Sequence, residues 1–332
     1  MPTIILLDVS LSMARFSSGE NSSMKMIDLA SSSIINFFDQ LSQHSKLEYT
    51  SLVVFSSLYE VVIKFTRDFE VLKKACNSVT TYDKTVFETA FQGIEVLVTE
   101  EWGSFVPIEL VLVTDGHSGI GDGSLKDAFQ KMNERTPNNR FPIPFSFPCH
   151  LNVVCLSDDP KDKSFFEKLI DLNYKKGDLY VPESLSINGL TKCFNRLVST
   201  RYGQYETKLS CGHFQSSISV FPSPILQNSF SGLSNLYKHP SAIISSSKLK
   251  LNSCLKVLGF LDLQDFSHPA YYSRHLITPV PSEDLSNEES SGIISSIFSG
   301  NKPKEISFQP SFCVLLHGSL KTEKMGAIVE VR

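Results

Sequence analysis

The first part of the chain alternates between short apolar runs and longer stretches with helical spacing. Thr3 to Leu7 is an almost continuous apolar run, which is typical of a strand buried on both faces of a sheet. Further on, apolar residues repeat every three or four positions from Ile27 to Leu41, and this spacing predicts an amphipathic helix. Strands and helices that alternate in this way favour a parallel sheet covered by helices on both faces, the doubly wound α/β class.

The same pattern predicts the remaining elements of this domain, which we expect to span residues 1–202. Residues 108–114 and 151–156 predict central strands, and residues 179–182 a short last strand. Residues 47–55 and 59–65 predict an antiparallel hairpin at a sheet edge, because only a tight connection separates them. Further helices are predicted at 69–79, 86–102, 125–135, 165–172 and 184–198. Alternating Phe and Pro at 141–148 exclude a helix there.

After residue 205 the helical periodicity disappears and short alternating segments follow. Strand-like runs at 216–221, 255–262, 312–316 and 327–331 favour an all-β barrel or sandwich, which we expect over residues 203–332. Two stretches rich in Ser, Asn and Pro, Ser223 to Ser247 and Pro281 to Pro310, interrupt the pattern. We expect both to be long or disordered loops, 281–310 in particular.

The composition argues against several classes of protein. The 332 residues include 35 acidic and 31 basic side chains, and neither predicted domain has the basic excess of a nucleic-acid module. No apolar run approaches the roughly 20 residues of a membrane helix, and the first residues lack the cationic start of a signal peptide, so an intracellular protein is expected. The seven cysteines include no Cys-x-x-Cys pair, which argues against a disulfide framework or a zinc site.

Three polar motifs fall where loops leave the carboxyl ends of predicted strands, the edge at which doubly wound sheets bind ligands. The first is Asp8-Val9-Ser10-Leu11-Ser12, in which every second residue carries a hard oxygen and can face one cation. The second is Thr85, at the start of a predicted helix, and the third is Thr114-Asp115-Gly116. The three motifs therefore mark one edge of the sheet as a candidate binding site, where Asp8, Ser10 and Ser12 can face one cation.

Each motif taken alone has a simpler interpretation. Asp and Ser favour capping turns, Asp before Gly is common in turns, and Thr85 is also a candidate helix N-cap. Lys84 places a cation beside Thr85 that would compete with a metal ion.

Catalytic motifs are weaker than the metal motif. The chain has no G-x-x-x-x-G-K-[ST] loop, and the glycines at 119, 121 and 123 lack the spacing of a dinucleotide fingerprint. Gly116-His117-Ser118-Gly119 resembles a nucleophile elbow, but Ile120 stands where that motif needs glycine. A magnesium phosphatase would need a second carboxylate close to its nucleophile, and the first loop offers serines instead. We therefore expect a protein that is not an enzyme.

Asp-x-Ser-x-Ser, then Thr, then Thr-Asp-Gly, in this order, resembles the metal-ion-dependent adhesion site of the von Willebrand factor type A family. The resemblance implies that Asp8, Ser10, Ser12, Thr85 and Asp115 surround Mg²⁺ directly or through water. It also implies a recognition role, in which a carboxylate from a partner fills an open position on the metal. The alternatives are a Mg²⁺-dependent hydrolase and a stand-alone type A adhesion module that binds an acidic ligand.

Several longer runs resemble a family of subunits of the Integrator complex. They include Leu52 to Leu58, Tyr82 to Thr85, Leu112 to Gly116, Cys211 to His213, Ser273 to Leu276 and Phe312 to Lys321. This resemblance implies a nuclear, non-catalytic scaffold subunit that acts in small nuclear RNA 3′-end processing and RNA polymerase II regulation. It implies a Ku-like β-barrel after the type A domain, a heterodimer with Integrator subunit 13 and a module with subunit 10. Nucleic-acid binding is implied only for that module.

The chain departs from these subunits at its end. It stops at Arg332, whereas the resemblance implies further barrel strands and a helical region. We therefore expect the barrel within residues 203–332 to be incomplete.

Overall fold

A computed structural model describes residues 2–17, 23–44, 48–104, 106–134, 141–157, 162–221, 254–265, 275–280 and 311–330. The chain divides into two compact units, the first ending at Gly203 and the second beginning at Gln204. The two expected polar loops, 223–247 and 281–310, lie outside the described residues.

The first unit is a six-stranded sheet with helices between its strands. Its strands are β1 (Thr3–Asp8), β2 (Thr50–Phe55), β3 (Tyr59–Thr66), β4 (Ile108–Thr114), β5 (Cys149–Cys155) and β6 (Leu179–Tyr180). Its helices are α1 (Met26–His44), α2 (Phe69–Asn77), α3 (Phe87–Trp102), α4 (Leu125–Asn133), α5 (Lys163–Leu172) and α6 (Ile187–Arg201). The strand order is β3-β2-β1-β4-β5-β6.

The topology explains why the sequence alternates as it does. Every residue of β1, β2, β4 and β5 is buried, so these strands can be apolar on both faces. They pair in parallel, and only β3 runs antiparallel, against β2 at the edge. The doubly wound class and the edge hairpin are thus confirmed, and the parallel strands bring their carboxyl ends to one edge.

The Phe- and Pro-rich segment after α4 is not helical, as its prolines predict. Its side chains pack onto α3 instead. The ring of Phe91 lies 5.8 Å from that of Phe141 and 6.0 Å from that of Phe145, both edge-on. Such aromatic pairs add to the apolar area that each ring buries, so this segment extends the core around Phe91 and Phe87.

The second unit is built on a smaller sheet. Its described strands are β7 (Tyr205–Cys211), β8 (Phe214–Phe221), β9 (Cys254–Asp262), β10 (Leu276–Pro279) and β11 (Met325–Glu330), in the order β10-β8-β7-β9-β11. β7 and β9 are parallel and the other neighbours antiparallel. Its core contains Leu209, Ile218, Val220, Leu255 and Val257.

One predicted strand of this unit is wrong. Residues 312–316, expected as a strand, begin helix α7 (Phe312–Glu323). Cys313 is buried against the sheet, with Phe312 and Leu316 packed beside it, and this three- or four-residue spacing belongs to a helix face. The apolar run Phe312-Cys313-Val314-Leu315-Leu316 is too short and too uniform for periodicity to separate the two structures.

Candidate metal centre

The first loop of the site begins where β1 ends. Asp8 is fully buried, and its Oδ1 accepts a hydrogen bond of 2.9 Å from the backbone N–H of Ser10. The hydroxyls of Ser10 and Ser12 lie 3.0 Å apart, at the start of a 3-10 turn over Leu11–Ala14. The loop thus gathers the carboxylate of Asp8 and two hydroxyls.

The second loop is hydrogen-bonded to the first through the backbone. The N–H of Tyr82 donates to the carbonyl of Val9 at 2.6 Å, and the N–H of Leu11 donates to the carbonyl of Asp83 at 2.8 Å. Thr85 follows on the same loop and is buried. Val86, not Thr85, occupies the N-cap position of α3, so the N-cap interpretation of Thr85 does not hold.

The third loop follows β4 and places Asp115 beside the first loop. Asp115 is buried, and its Oδ1 accepts a hydrogen bond from the N–H of His117 at 3.1 Å. Its Oδ2 is buried and has no hydrogen-bond partner. The hydroxyl of Thr114 donates to Oδ2 of Asp8 at 2.9 Å, which joins the first and third loops.

The conformation of Gly119 holds the third loop against the second. Gly119 has φ +83°, a left-handed conformation, and a Cβ on it would lie 2.9 Å from the carbonyl oxygen of Thr85. Within the same loop the N–H of Ser118 donates to Oδ2 of Asp162 at 2.8 Å. Both contacts fix the loop that carries Asp115.

One charged residue at the site was not predicted. Nη2 of Arg15 lies 3.7 Å from Oδ2 of Asp115, and Nη1 lies 3.0 Å from Nε2 of His117. Lys84, predicted to compete with a metal, is exposed, and the charge it acts on is that of Asp83. No motif singles out Arg15, which comes three residues after Ser12; only the turn over Leu11–Ala14 brings it back to Asp115.

Two buried carboxylates so close together are electrostatically costly. Burial, and after it the negative charge of Asp115, raises the pKa of Asp8 to about 7, against the lowering effect of hydrogen bonds from Ser10 and Thr114. A cation at this position would therefore stabilise both carboxylates in their charged form.

The donor set suits a small hard cation. It offers two carboxylates and the hydroxyls of Ser10, Ser12 and Thr85, and Oδ2 of Asp115 is buried without a hydrogen-bond partner. Mg²⁺ is commonly held by one or two carboxylates and keeps several waters. Within the described ranges, no three His, Cys, Asp or Glu side chains cluster in a way that could hold a metal, so a site here depends on its hydroxyls.

Two family models match the chain. Residues 3–117 match the von Willebrand factor type A domain, and residues 202–332 match the β-barrel domain of Integrator complex subunit 14. Integrator complex subunit 14 of Homo sapiens is 38% identical over 339 residues, covering 100% of this chain. The chain is similar over its whole length to Integrator complex subunit 14 proteins.

Integrator complex subunit 14 proteins of other organisms are also similar to this chain. The protein of Xenopus tropicalis is 36% identical over 344 residues, and that of Drosophila melanogaster 25% identical over 411. The chain spans 63% of the length of the Xenopus tropicalis and Homo sapiens proteins. A solved von Willebrand factor type A structure from Catenulispora acidiphila matches with a TM-score of 0.43 and 13% identity, over 62% of this chain and 44% of that one.

Two further features of this chain concern its cysteines and helices. In the structure all seven cysteines carry free thiols. None of the helices in the described ranges is long and apolar enough to span a bilayer.

Proposed function

We propose that this chain is a non-catalytic interaction subunit of an Integrator complex, and that its first unit recognises a partner through a metal site. The observation that supports this best is similarity to Integrator complex subunit 14 proteins across both units, from the type A domain to the β-barrel domain. The names of these relatives connect them to the Integrator complex, and we extend that connection to this chain.

The proposed metal ligands are Asp8, Ser10, Ser12, Thr85 and Asp115, acting on Mg²⁺ directly or through water. A cation at this position would give the buried Oδ2 of Asp115, which has no hydrogen-bond partner, a positive charge to bind. It would also lower the pKa of Asp8, which is raised to about 7. Bound Mg²⁺ would supply one coordination position for a carboxylate of the partner. The residues of the chain would orient that carboxylate, and no hydrolytic step is part of the proposal.

Within the complex we propose a heterodimer with Integrator subunit 13 and a module with subunit 10. The processes served would be small nuclear RNA 3′-end formation and regulation of RNA polymerase II in the nucleus. With a net charge of -4, this chain would contribute to nucleic-acid binding only as part of the module.

Calorimetric titration of the purified chain with MgCl₂ tests the metal site. We expect binding that is lost in Asp115→Asn and retained in Asp122→Asn, which removes an exposed carboxylate of the same loop. Equal binding in both variants would contradict the site.

Co-purification from nuclear extract tests the assembly. A tagged chain should recover Integrator subunits 13 and 10. Recovery of neither would contradict the assembly, and Mg²⁺-dependent hydrolysis of phosphate esters that is lost in Asp115→Asn would contradict the non-catalytic role. Mg²⁺ binding without any Integrator subunit would favour a stand-alone adhesion module.

A further inference from the structure

Large apolar side chains are exposed on the loops that carry the candidate metal ligands. Leu11 is 64% exposed, Tyr82 57% and Ile120 85%, each on a different one of the three loops. Phe16 and Leu58, on loops at the same edge, are also exposed. With Tyr59, which begins β3 opposite Phe55 at the end of β2, six of the nine exposed large apolar side chains described in the first unit lie at the edge where the parallel strands end. Such a cluster is typical of an interaction surface rather than of scattered surface residues.

Backbone contacts hold the three loops side by side. Ser10 forms an isolated bridge with Tyr82, and the N–H of Leu11 donates to the carbonyl of Asp83. On the other side, Gly119 approaches the carbonyl of Thr85 and is followed by Ile120. Leu11, Tyr82 and Ile120 therefore lie on the three adjoining loops that carry the candidate ligands; we call these three residues the apolar rim.

The charges at the site favour an acidic ligand. With Mg²⁺ bound, the charges of Asp8 and Asp115 are balanced, and the guanidinium of Arg15, 45% exposed, remains as an excess positive charge. Lys84 and Asp83, both exposed, lie next to each other and offset one another. A neutral or cationic segment would gain nothing at this centre, whereas a carboxylate would.

We propose that the apolar rim docks a peptide segment in which an acidic side chain is flanked by apolar side chains. The inference rests on the proposed function, since it assigns the acidic side chain to the metal site and adds the flanking contacts. Buried aromatic and aliphatic anchors around one desolvated polar contact are the usual arrangement of an interface centre.

Selection from a peptide library tests the sequence preference. The probe is a displayed library of nonapeptides with a fixed central Asp and random flanks, selected on the purified chain in MgCl₂. We expect Leu, Ile, Val and Phe to become enriched at the positions next to the Asp. Flanks that stay random among Asp- and Mg²⁺-dependent binders would overturn the inference while leaving the proposed function intact.

Variants then locate the contact. Leu11→Ser/Tyr82→Ser/Ile120→Ser should weaken a selected peptide at least about tenfold, or roughly 1.4 kcal/mol, with Mg²⁺ affinity unchanged. Val71→Ser/Val96→Ser/Tyr174→Ser is the matched control, because these side chains are exposed away from the edge, and it should bind as the native chain does. A rim variant that also binds like the native chain would overturn the inference.

Peptide variants separate the two proposals. The selected peptide with Asn in place of Asp should lose binding, and so should the original peptide after chelation of Mg²⁺. If both still bind at native strength, the proposed function fails, whatever the flanks. The peptide with serine flanks should lose binding to the native chain. It should bind the rim variant no more weakly than it binds the native chain, because the rim variant lacks only the contacts that these flanks can no longer make.

Discussion

Arg15 and Asp115 form an ion pair across the mouth of the candidate metal site. The 3.7 Å contact joins Nη2 of Arg15 to Oδ2 of Asp115, the carboxylate oxygen that has no hydrogen-bond partner. The side chain of Arg15 is 45% exposed and that of Asp115 0%, so the guanidinium reaches a buried anion from the solvent side. The same oxygen is proposed to face Mg²⁺. Arg15 and the metal therefore compete for one charge.

Replacing Arg15 should strengthen metal binding. In Arg15→Gln the competing charge is lost, and at about 4 Å in water a unit charge is worth about 1 kcal/mol, the limit nearest to a guanidinium that is 45% exposed. We expect Mg²⁺ affinity to rise about three- to tenfold in a calorimetric titration. Lys84→Gln, which removes a cation that acts on Asp83 instead, should leave the affinity nearly unchanged. Equal gains in both variants would mean that only overall charge matters.

The contact between the second and third loops predicts a difference between two glycines. Gly119 and Gly121 both have positive φ, so an alanine strains either backbone by about 1 kcal/mol. Only at Gly119 does the added Cβ meet an atom, the carbonyl oxygen of Thr85 at 2.9 Å; nothing lies within 4 Å at Gly121. Gly119→Ala should therefore also push the second loop, which carries Thr85, away from the third loop, and weaken Mg²⁺ binding at least about tenfold.

Calorimetric titration of the two alanine variants checks this prediction. Gly121→Ala should bind Mg²⁺ within about twofold of the native chain, while Gly119→Ala should not. Urea unfolding followed by the fluorescence of Trp102, the single tryptophan, confirms that both variants fold. The same loss of affinity in both variants would show that flexibility of the loop, rather than the contact with Thr85, sets the affinity.

The α/β architecture was predictable from the sequence because burial on both faces leaves a continuous apolar signature. Leu110 to Val113 must be apolar whichever way each side chain points, and polar residues stand at the two ends of the run, at Glu109, Thr114 and Asp115. The same rule places the candidate ligands at strand ends. Helix α7 was missed for the opposite reason, since only its packing against the small second core decides between helix and strand.

The parts of the site that could not be predicted depend on tertiary contacts. Arg15 reaches Asp115 across 100 residues of chain, and no local pattern encodes that meeting. The hydroxyl of Thr114 could equally have faced solvent, and only the register of β4 beside β1 aims it at Asp8. Sequence motifs identify candidate ligands, whereas the charges and hydrogen bonds that tune them arise from the fold.

At the opposite end of the strands, a buried ion pair links the sheet to α6. Glu109 is fully buried; Nε of Arg201 donates to its two carboxylate oxygens at 3.2 and 3.1 Å, and Asn152 donates to Oε2 at 3.0 Å. Arg201→Met leaves Glu109 buried without its cation, which should lower the free energy of unfolding by about 3 to 5 kcal/mol.

Urea unfolding followed by Trp102 fluorescence measures this loss. The double variant Glu109→Leu/Arg201→Met removes the stranded charge as well, so it should recover most of the stability that Arg201→Met loses. Lys192→Met on the exposed face of α6 is the control and should change the stability by less than about 0.5 kcal/mol. If the double variant is no more stable than the single one, the loss comes from packing of the Arg201 stem rather than from the unpaired carboxylate.

His150, beside this ion pair, predicts how the stability of the first unit depends on pH. Burial, together with the positive charges of Arg201 and Lys176, lowers the pKa of His150 to about 3. The folded state therefore holds the neutral imidazole, while the unfolded chain takes up a proton as the pH falls below about 6.5. The stabilising contribution of neutral His150 is complete above that pH and is lost progressively as the pH falls towards 3. We expect the free energy of unfolding to drop by about 1 kcal/mol between pH 7.5 and 5.5 from this residue.

The measurement is Trp102-monitored urea unfolding of the native chain and of His150→Gln across this range. The native chain should lose more stability than the variant on acidification, and parallel pH profiles would show that His150 does not carry the dependence.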